Sequence, residues 1–235
     1  MTQLILHIGT HKTGTTSIQK VLADNRAWLR AKGLVYPDGG QIYKGEHPHH
    51  DWSHSLTGVE RRRPETTSAF IDYAASLGHD SDMLLISAEP IYRHMDGIDA
   101  IDVVERPDYW ARRERYVKNL AAALGRFDVR VVVWFREKDS FARSLYAEVT
   151  AKGYWNGSFD RFRDVYQHWF QYDRQVNLFR QAFANVDVFS YEDDCRNGLI
   201  ASFFSRIEMP PRPDQTKYGN VAVPKSTLKS LRQVP

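Results

Sequence analysis

The sequence predicts an α/β fold built on a mainly parallel central sheet flanked by helices, and three observations carry that prediction. Short apolar runs recur along the chain at residues 4–8, 83–87, 129–135 and 186–190. Stretches whose apolar side chains fall at helical spacing separate these runs. The first run breaks at Gly9 and restarts as a hydroxyl-rich segment, His11-Lys12-Thr13-Gly14-Thr15-Thr16-Ser17, which reads as a loop turning into a helix. Apolar runs of this length belong to strands buried on both faces, and strands interleaved with helices pair in parallel through crossover connections.

Taken in order, residues 4–8 form the first strand, and the helix of residues 17–32 places Ile18, Val21, Leu22, Trp28 and Leu29 on roughly one face before Gly33 ends it. Residues 34–37 are a short extended piece. Residues 38–64 show no clear periodicity and are expected to be an irregular insertion. It holds the histidine-rich stretch His47-Pro48-His49-His50-Asp51-Trp52-Ser53-His54, which reads as a polar surface loop. Residues 66–77 look helical, 83–87 form a second buried strand, and a helix over 109–124 feeds through Gly125 into the strand 129–135. Asp139 or Ser140 can cap the next helix, which runs to about Lys152 and stops before Gly153. Residues 159–183 have an aromatic-rich helical pattern that offers Phe162, Tyr166, Trp169, Phe170 and Leu178 to a core. A strand at 186–190, a helix near 198–207 and a turn at Pro210-Pro211-Arg212-Pro213 complete the pattern.

With 235 residues and 42% hydrophobic content the chain can bury one full core, so a single domain over residues 1–235 is expected. The net charge of +3, from 32 basic and 29 acidic residues, gives no ground for a nucleic-acid or membrane partner. Any cationic site must therefore be local. The one cysteine, Cys195, excludes an intrachain disulfide, fits a reducing compartment and has no nucleophile's setting around it. The chain passes from Met1-Thr2-Gln3 straight into the first strand and has no apolar segment of about twenty residues, so a cytoplasmic protein is expected.

Ligands of such sheets gather beyond the carboxyl ends of the strands, where Lys12, Glu89, Arg136 and Tyr191 all fall. The loop after the first strand should leave backbone N–H groups unpaired at a helix N-terminus, where they and the helix dipole attract an anion, and Lys12 adds a full charge. Its order departs from the pattern G-x-x-x-x-G-K-[ST], because Lys12 precedes Gly14 and threonines follow it. This order resembles the 5′-phosphosulfate loop of the sulfotransferases that use 3′-phosphoadenosine 5′-phosphosulfate (PAPS). Those enzymes hold the 3′-phosphate with an arginine at a strand end and a serine eight positions later on the following helix, a spacing that Arg136 and Ser144 match. The run Phe189-Ser190-Tyr191-Glu192-Asp193 is similar to the family's strand ending in Tyr-Glu-Asp, so the matches span most of the chain in the family's order.

The resemblance implies a P-loop-like three-layer fold, PAPS as donor, its desulfated form PAP as product, and no metal. It implies that Thr10, His11, Lys12, Thr13, Gly14, Thr15, Thr16 and Ser17 surround the 5′-phosphosulfate and that Arg136 and Ser144 meet the 3′-phosphate. It also implies that Lys12 stabilises the charge growing on the leaving phosphate. A base must take the acceptor's proton, and Glu89 in Ser87-Ala88-Glu89-Pro90 resembles the Ser-x-Glu segment of bacterial members. Glu89 is thus expected to be catalytic beside Lys12, or else a structural carboxylate paired with a nearby cation. His47, His49, His50 and His54 are the rival source of a base, although their spacing fits no zinc pattern. His7 and His11 read as packing or hydrogen-bonding histidines. The segment Lys217-Tyr218-Gly219-Asn220 resembles the C-terminal asparagine-containing segment of bacterial members.

The acceptor is expected to be a hydroxyl or amine of a small molecule or glycan. Two other functions compete. A kinase-type phosphotransferase would place lysine directly before Ser or Thr and an acidic residue at a strand end for magnesium, and a non-catalytic nucleotide-binding protein would keep the grip without the turnover.

Overall fold

The computed structural model describes residues 1–45, 47–78, 83–98 and 106–210. The turn beyond Pro210 and the segment from Lys217 to Asn220 lie outside the described residues. Five strands, β1 (Gln3–His7), β2 (Leu34–Val35), β3 (Met83–Ser87), β4 (Asp128–Phe135) and β5 (Asn185–Ser190), form one all-parallel sheet in the order β2-β3-β1-β4-β5. The described helices are α1 (Thr15–Asp24), α2 (Arg26–Ala31), α3 (Pro48–Ser55), α4 (Thr66–Leu77), α5 (Tyr109–Ala123), α6 (Lys138–Ala151), α7 (Phe159–Val165), α8 (Tyr172–Ala182), α9 (Tyr191–Arg196) and α10 (Leu199–Arg206). None of them is long and apolar enough to cross a membrane.

The central strand explains the core. β1 pairs with β3 on one side, Leu4 opposite Leu84, and with β4 on the other, Leu4 opposite Val129. Strand alternation sends Leu4, Leu6 and Ile8 to one face, where Trp52 of α3, Phe70 of α4, Tyr116 and Leu120 of α5 and Phe179 of α8 cover them. Ile5, Leu85, Val132 and Trp134 point to the other face, onto Ile18, Val21 and Leu22 of α1, Leu29 of α2 and Phe203 and Phe204 of α10. Each of these apolar side chains contributes about 1.5–3 kcal/mol by leaving water, which is why the runs that looked double-sided in the sequence are central strands. A side cluster around Phe141, Leu145, Phe162 and Trp169 packs α6 and α7 together and against Tyr109 of α5.

The sequence reading needs correction at four places. The helix expected over 17–32 breaks into α1 and α2 at Asn25, whose side-chain amide donates to the Val21 carbonyl at 2.6 Å and competes with the helical ladder. The insertion expected to be irregular contains α3, started by Pro48 at its first turn, and a 3₁₀ turn at Glu60–Arg62. The histidine-rich stretch is not a surface loop, since His49 is 4% exposed and Trp52 is fully buried, while His47 stays exposed ahead of α3. Residues 159–183 divide into α7, a 3₁₀ turn at Gln167–Phe170, and α8. The cap of α6 is Glu137, which accepts from the N–H groups of Asp139 and Ser140 at 2.9 and 2.7 Å, so neither Asp139 nor Ser140 caps it.

The connection leaving β1 runs over one face of the sheet through α1, whereas those leaving β3 and β4 run over the other through α5 and α8. Neighbouring strands whose connections diverge in this way open a crevice at their carboxyl ends. The loop after β1 and the turn after β3 border it.

Candidate functional site

The loop from Ile8 to Gly14 is held by its neighbours in detail. Ile8 N–H still donates to the Val132 carbonyl at 3.1 Å, after which the chain leaves the sheet. A Cβ on Gly9 would lie 2.5 Å from Thr15 Cγ2 and 2.9 Å from His7 Nε2, so only glycine allows this close return. The Thr10 hydroxyl donates to the Trp134 carbonyl at 2.9 Å and the Thr13 hydroxyl to the Thr10 carbonyl at 2.6 Å, pinning the loop to β4 and to itself. Gly14, with φ of 72°, fits against Leu199 of α10, and Lys12 adopts a left-handed φ of 68° that costs a non-glycine residue about 1–2 kcal/mol. Among the described residues no hydrogen bond engages the backbone N–H groups from Thr13 to Ser17, and the first turn of α1 carries no acidic side chain. That is the arrangement that receives an anion.

Two cations from distant segments meet at this loop. Lys12 Nζ lies 3.3 Å from Glu148 Oε2 on α6, and the other oxygen of Glu148 accepts from Lys152 at 2.6 Å. Arg136, the residue after β4, donates through Nη1 to the Lys12 carbonyl at 3.3 Å and sits 5.6 Å from the centre of the Tyr191 ring. Its Nε donates to Ser140 Oγ at 2.8 Å. Ser144, the serine named from spacing, is half-buried and makes no side-chain hydrogen bond among the described residues. The serine one helical turn after Arg136 is the one that its guanidinium bonds, a spacing of four that sequence inspection could have found. The Tyr-Glu-Asp segment lies at the start of α9 and secures this corner: Glu192 accepts from the Glu137 N–H at 3.1 Å, and buried Asp194 accepts from Trp134 Nε1 at 2.7 Å and pairs with Arg206 at 3.0 Å.

Glu89 opens the 3₁₀ turn after β3 and is drawn into the loop of β1. Its Oε1 lies 2.8 Å from His11 Nδ1, and its Oε2 accepts from the Thr15 hydroxyl; the His11 and Glu89 side chains are only 13% and 16% exposed. Burial alone would raise the Glu89 carboxyl, but His11 and the bonds from His11 and Thr15 outweigh it and hold the group well below the usual carboxylate range. His11 is pushed down, first by burial and then by the Arg93 guanidinium, against the opposing pull of Glu89. The ionised carboxylate therefore accepts from the Nδ1–H of His11, and the downward shift of the ring favours a single proton on it. His11 Nε2 is buried with no hydrogen-bond partner among the described residues. Arg93, at the end of the same turn, stacks 5.7 Å from the Trp169 ring, makes no ion pair among the described residues, and is lowered by burial to about 10.

No protein-family profile matches the chain, and no characterised protein sequence is a significant match. Among solved structures, a sulfotransferase from Alicyclobacillus acidocaldarius aligns with a TM-score of 0.51 at 13% identity, over 98% of this chain and 90% of that one. The chain has the P-loop-like fold of that sulfotransferase. Retinol dehydratase, solved with androsterone and inactive cofactor PAP, aligns at a TM-score of 0.38 and 14% identity over 90% of this chain and 61% of that one. A tRNA isopentenylpyrophosphate transferase from Staphylococcus epidermidis aligns at 0.37 and 9% identity, over 88% and 99%. Only the first likeness is close enough to bear on the fold.

Within this sulfotransferase-type fold, the remaining predicted residues separate cleanly. Thr10 and Thr13 are buried and spend their hydroxyls on the loop, Thr15 spends its hydroxyl on Glu89, Thr16 is exposed, and Ser17 is half-buried. His49 has both nitrogens committed, Nε2 donating to the Pro37 carbonyl at 2.8 Å and Nδ1 accepting from the Ser87 N–H at 3.0 Å, and burial lowers it to about 3. His50 contacts Gln19 Nε2 at 3.0 Å, and Gln19 also reaches the Ser87 carbonyl and hydroxyl at 3.2 Å. His7 meets the Ser87 hydroxyl at 2.9 Å. Sequence reasoning missed Gln19, Arg93, Ser140 and Glu148, which carry no local motif. The described residues hold no group of three or more side chains able to bind a metal.

Four of these histidines set an acid limit on the fold. Burial lowers His7 and His50 to about 4 and His49 and His54 to about 3, whereas an unfolded chain protonates them near 6.5. The unfolded state thus binds more protons as the pH falls through this window, and stability is present above about pH 6.5 and lost progressively toward pH 4. Urea midpoints measured from pH 7.5 to 4.5 are expected to fall steadily below pH 6.5. A flat profile between pH 7 and 5 would contradict the burial of neutral imidazoles.

Proposed function

We propose that the chain is a PAPS-dependent sulfotransferase that passes a sulfuryl group to a hydroxyl or amine of a small-molecule or glycan acceptor. The observation that carries this reading is the junction at Lys12: the loop that resembles a 5′-phosphosulfate cradle and the arginine that resembles a 3′-phosphate ligand are joined by the 3.3 Å bond from Arg136 to the Lys12 carbonyl. One nucleotide phosphorylated at both ends would engage both. The residues fit such a group, since unbonded N–H groups from Thr13 to Ser17 face an anion on one side and a guanidinium fork serves a phosphate on the other.

PAPS, when bound, supplies the sulfuryl group and a phosphate leaving group. Lys12, which in the free chain contacts Glu148 at 3.3 Å, would supply the positive charge at the leaving end of the bound donor. Arg136 orients the nucleotide, and its bond to the Lys12 carbonyl couples orientation to the loop. The acceptor's proton passes to the unit made by Glu89 and His11.

The kinase reading fares worse on one specific contact. Gly9 and Gly14 keep the spacing of a nucleotide-triphosphate loop, but Thr15 stands where its lysine would be and donates to Glu89. A neutral hydroxyl replaces the cation, and the carboxylate that could have served magnesium has both oxygens engaged.

Calorimetric titration tests the proposal. PAP is expected to bind at roughly micromolar affinity, at least about tenfold more tightly than ATP with magnesium. Clear binding of ATP with magnesium beside no binding of PAP would replace the proposal with the kinase reading. Tight PAP binding without sulfuryl transfer to any of a panel of phenols, sugars and amines would favour a non-catalytic nucleotide-binding protein.

A further inference from the structure

Glu89 is the obvious carboxylate at the crevice, yet its hydrogen bonds turn it away from an acceptor. Oε1 faces His11 Nδ1 at 2.8 Å and Oε2 receives the Thr15 hydroxyl, so both oxygens are drawn into the loop. His11 shows the opposite pattern. One ring nitrogen is fixed by a carboxylate, and the other, Nε2, is buried and unpartnered among the described residues. Unsatisfied buried polar atoms are rare and destabilising, and they persist where function needs them.

Two other buried histidines also leave Nε2 unpartnered, and the comparison is informative. His7 sets its ring edge-on to Trp134 at 5.3 Å and beside Phe203 at 5.2 Å, and His94 packs on His54 at 4.2 Å and near Tyr116 at 5.5 Å. Those rings are core side chains. His11 has no ring contact among the described residues and precedes Lys12 in the loop that borders the crevice.

We propose that Nε2 of His11 is the atom that removes the acceptor's proton, and that Glu89 acts through it as a positioning residue; this rests on the sulfotransferase reading above. The Nε2 lone pair takes the proton from the acceptor hydroxyl or amine as that oxygen or nitrogen bonds to sulfur. The bond from sulfur to the bridging phosphate oxygen breaks, and its electron pair stays on that oxygen beside Lys12. Glu89 stabilises the imidazolium that results, and His11 returns the proton to solvent after release. The net change is acceptor plus PAPS giving sulfated acceptor, PAP and one proton. The arrangement has the logic of a carboxylate, histidine and nucleophile in line, with the carboxylate choosing the tautomer.

The charged and titratable groups that face His11 are Glu89 and Glu148, which favour its protonated form, and Arg93, which opposes it; His50 and His94 also act on it, and Lys12 is its chain neighbour. Burial and Arg93 prevail, so the ring is an unprotonated base at neutral pH. Replacing Glu89 by Gln removes one opposing charge and should lower His11 further.

Nuclear magnetic resonance of the ¹⁵N-histidine-labelled protein, without any ligand, reads the tautomer directly, with His11→Asn to identify the signal. Expected at pH 7.5 is a protonated Nδ1 and a bare Nε2, with protonation of His11 moving to lower pH in Glu89→Gln. A ring protonated at Nε2, or at both nitrogens, at that pH overturns the proposal. In rate measurements with PAPS and the best acceptor of the panel, His11→Asn, which keeps a donor toward Glu89, should lose about 10²–10⁴-fold while binding PAP within about threefold of the parent chain. Glu89→Gln should lose less, about 10–10²-fold, and shift the acid limb of the rate profile downward. His11→Asn with near-parental rates beside a dead Glu89→Gln would make the carboxylate the base and overturn the proposal. Failure to bind PAP would sink the sulfotransferase reading instead and leave the tautomer result standing.

Discussion

Lys12→Ala is expected to slow sulfuryl transfer by about 10³-fold or more while changing PAP affinity by less than about tenfold. The asymmetry follows from where the charge develops. In the free chain Lys12 is paired with Glu148 across 3.3 Å and partly exposed, so its ground-state contact is a weak one that solvent screens. In the proposed reaction the same ammonium would meet, at the leaving oxygen, a charge that exists only as the sulfur–oxygen bond breaks, so the interaction would appear mainly in the transition state. Alanine does not release the loop from its left-handed turn, since a Cβ remains at a φ of 68°. Lys12→Gly relaxes that turn and serves as the control for strain: it should be as inactive as alanine although no less stable. Single-turnover rates and calorimetric PAP affinities on both variants check the result. Equal loss of rate and affinity would assign Lys12 to simple binding, and no loss of rate would remove it from the site.

Arg136→Ala should act on binding first. PAP affinity is expected to fall by about 10²–10³-fold, the scale of truncating one partner of a part-buried, hydrogen-bonded charge pair at about 3–4 kcal/mol. Two effects add. The fork loses its phosphate, and the Lys12 carbonyl loses the donor that lies 3.3 Å away, so the loop that carries Lys12 loosens as well. Arg136→Lys separates these effects, because a point charge at the same place keeps attraction but not the planar fork. It should recover part of the affinity and little of the rate. Titration with PAP and with 5′-phosphoadenosine, which lacks the 3′-phosphate, completes the check: the variant should lose its preference between the two. A retained preference would move the 3′-phosphate away from Arg136.

Much of the architecture is legible in the order of the residues. The runs at residues 4–8, 83–87 and 129–135 are apolar on both sides of the pleat, and only a strand between two helical layers buries both sides at once. Gly9 and Gly14 bracket a loop in which an added Cβ would collide with Thr15 at the first and with Leu199 at the second. Strand ends alone put Lys12, Glu89, Arg136 and Tyr191 on one rim, and the parallel sheet brings all four there. Such features are legible because periodicity, glycine geometry and strand direction act over neighbouring residues.

The pairings across that rim are not legible in the same way. The Arg136 guanidinium bonds Ser140, a contact no motif announces, because Glu137 starts α6 immediately after it and presents Ser140 beside the fork. The histidine-rich segment looks polar by composition, but α3 turns His49 and Trp52 inward, where the carbonyl of Pro37 and the N–H of Ser87 satisfy the ring. His11 and Glu89 are far apart in the chain, and they meet only because β1 and β3 are adjacent and parallel, so that both loops leave the sheet at the same edge. The sequence by itself determined the layers, the glycine-bracketed loop after β1 and the rim on which the polar residues stand, since these depend on local geometry and on which side chains avoid water. Tertiary structure alone decided which polar atoms are paired and which nitrogen is left bare, because hydrogen bonds are short-ranged and directional and burial sets the charge of each group only when its partners are in place.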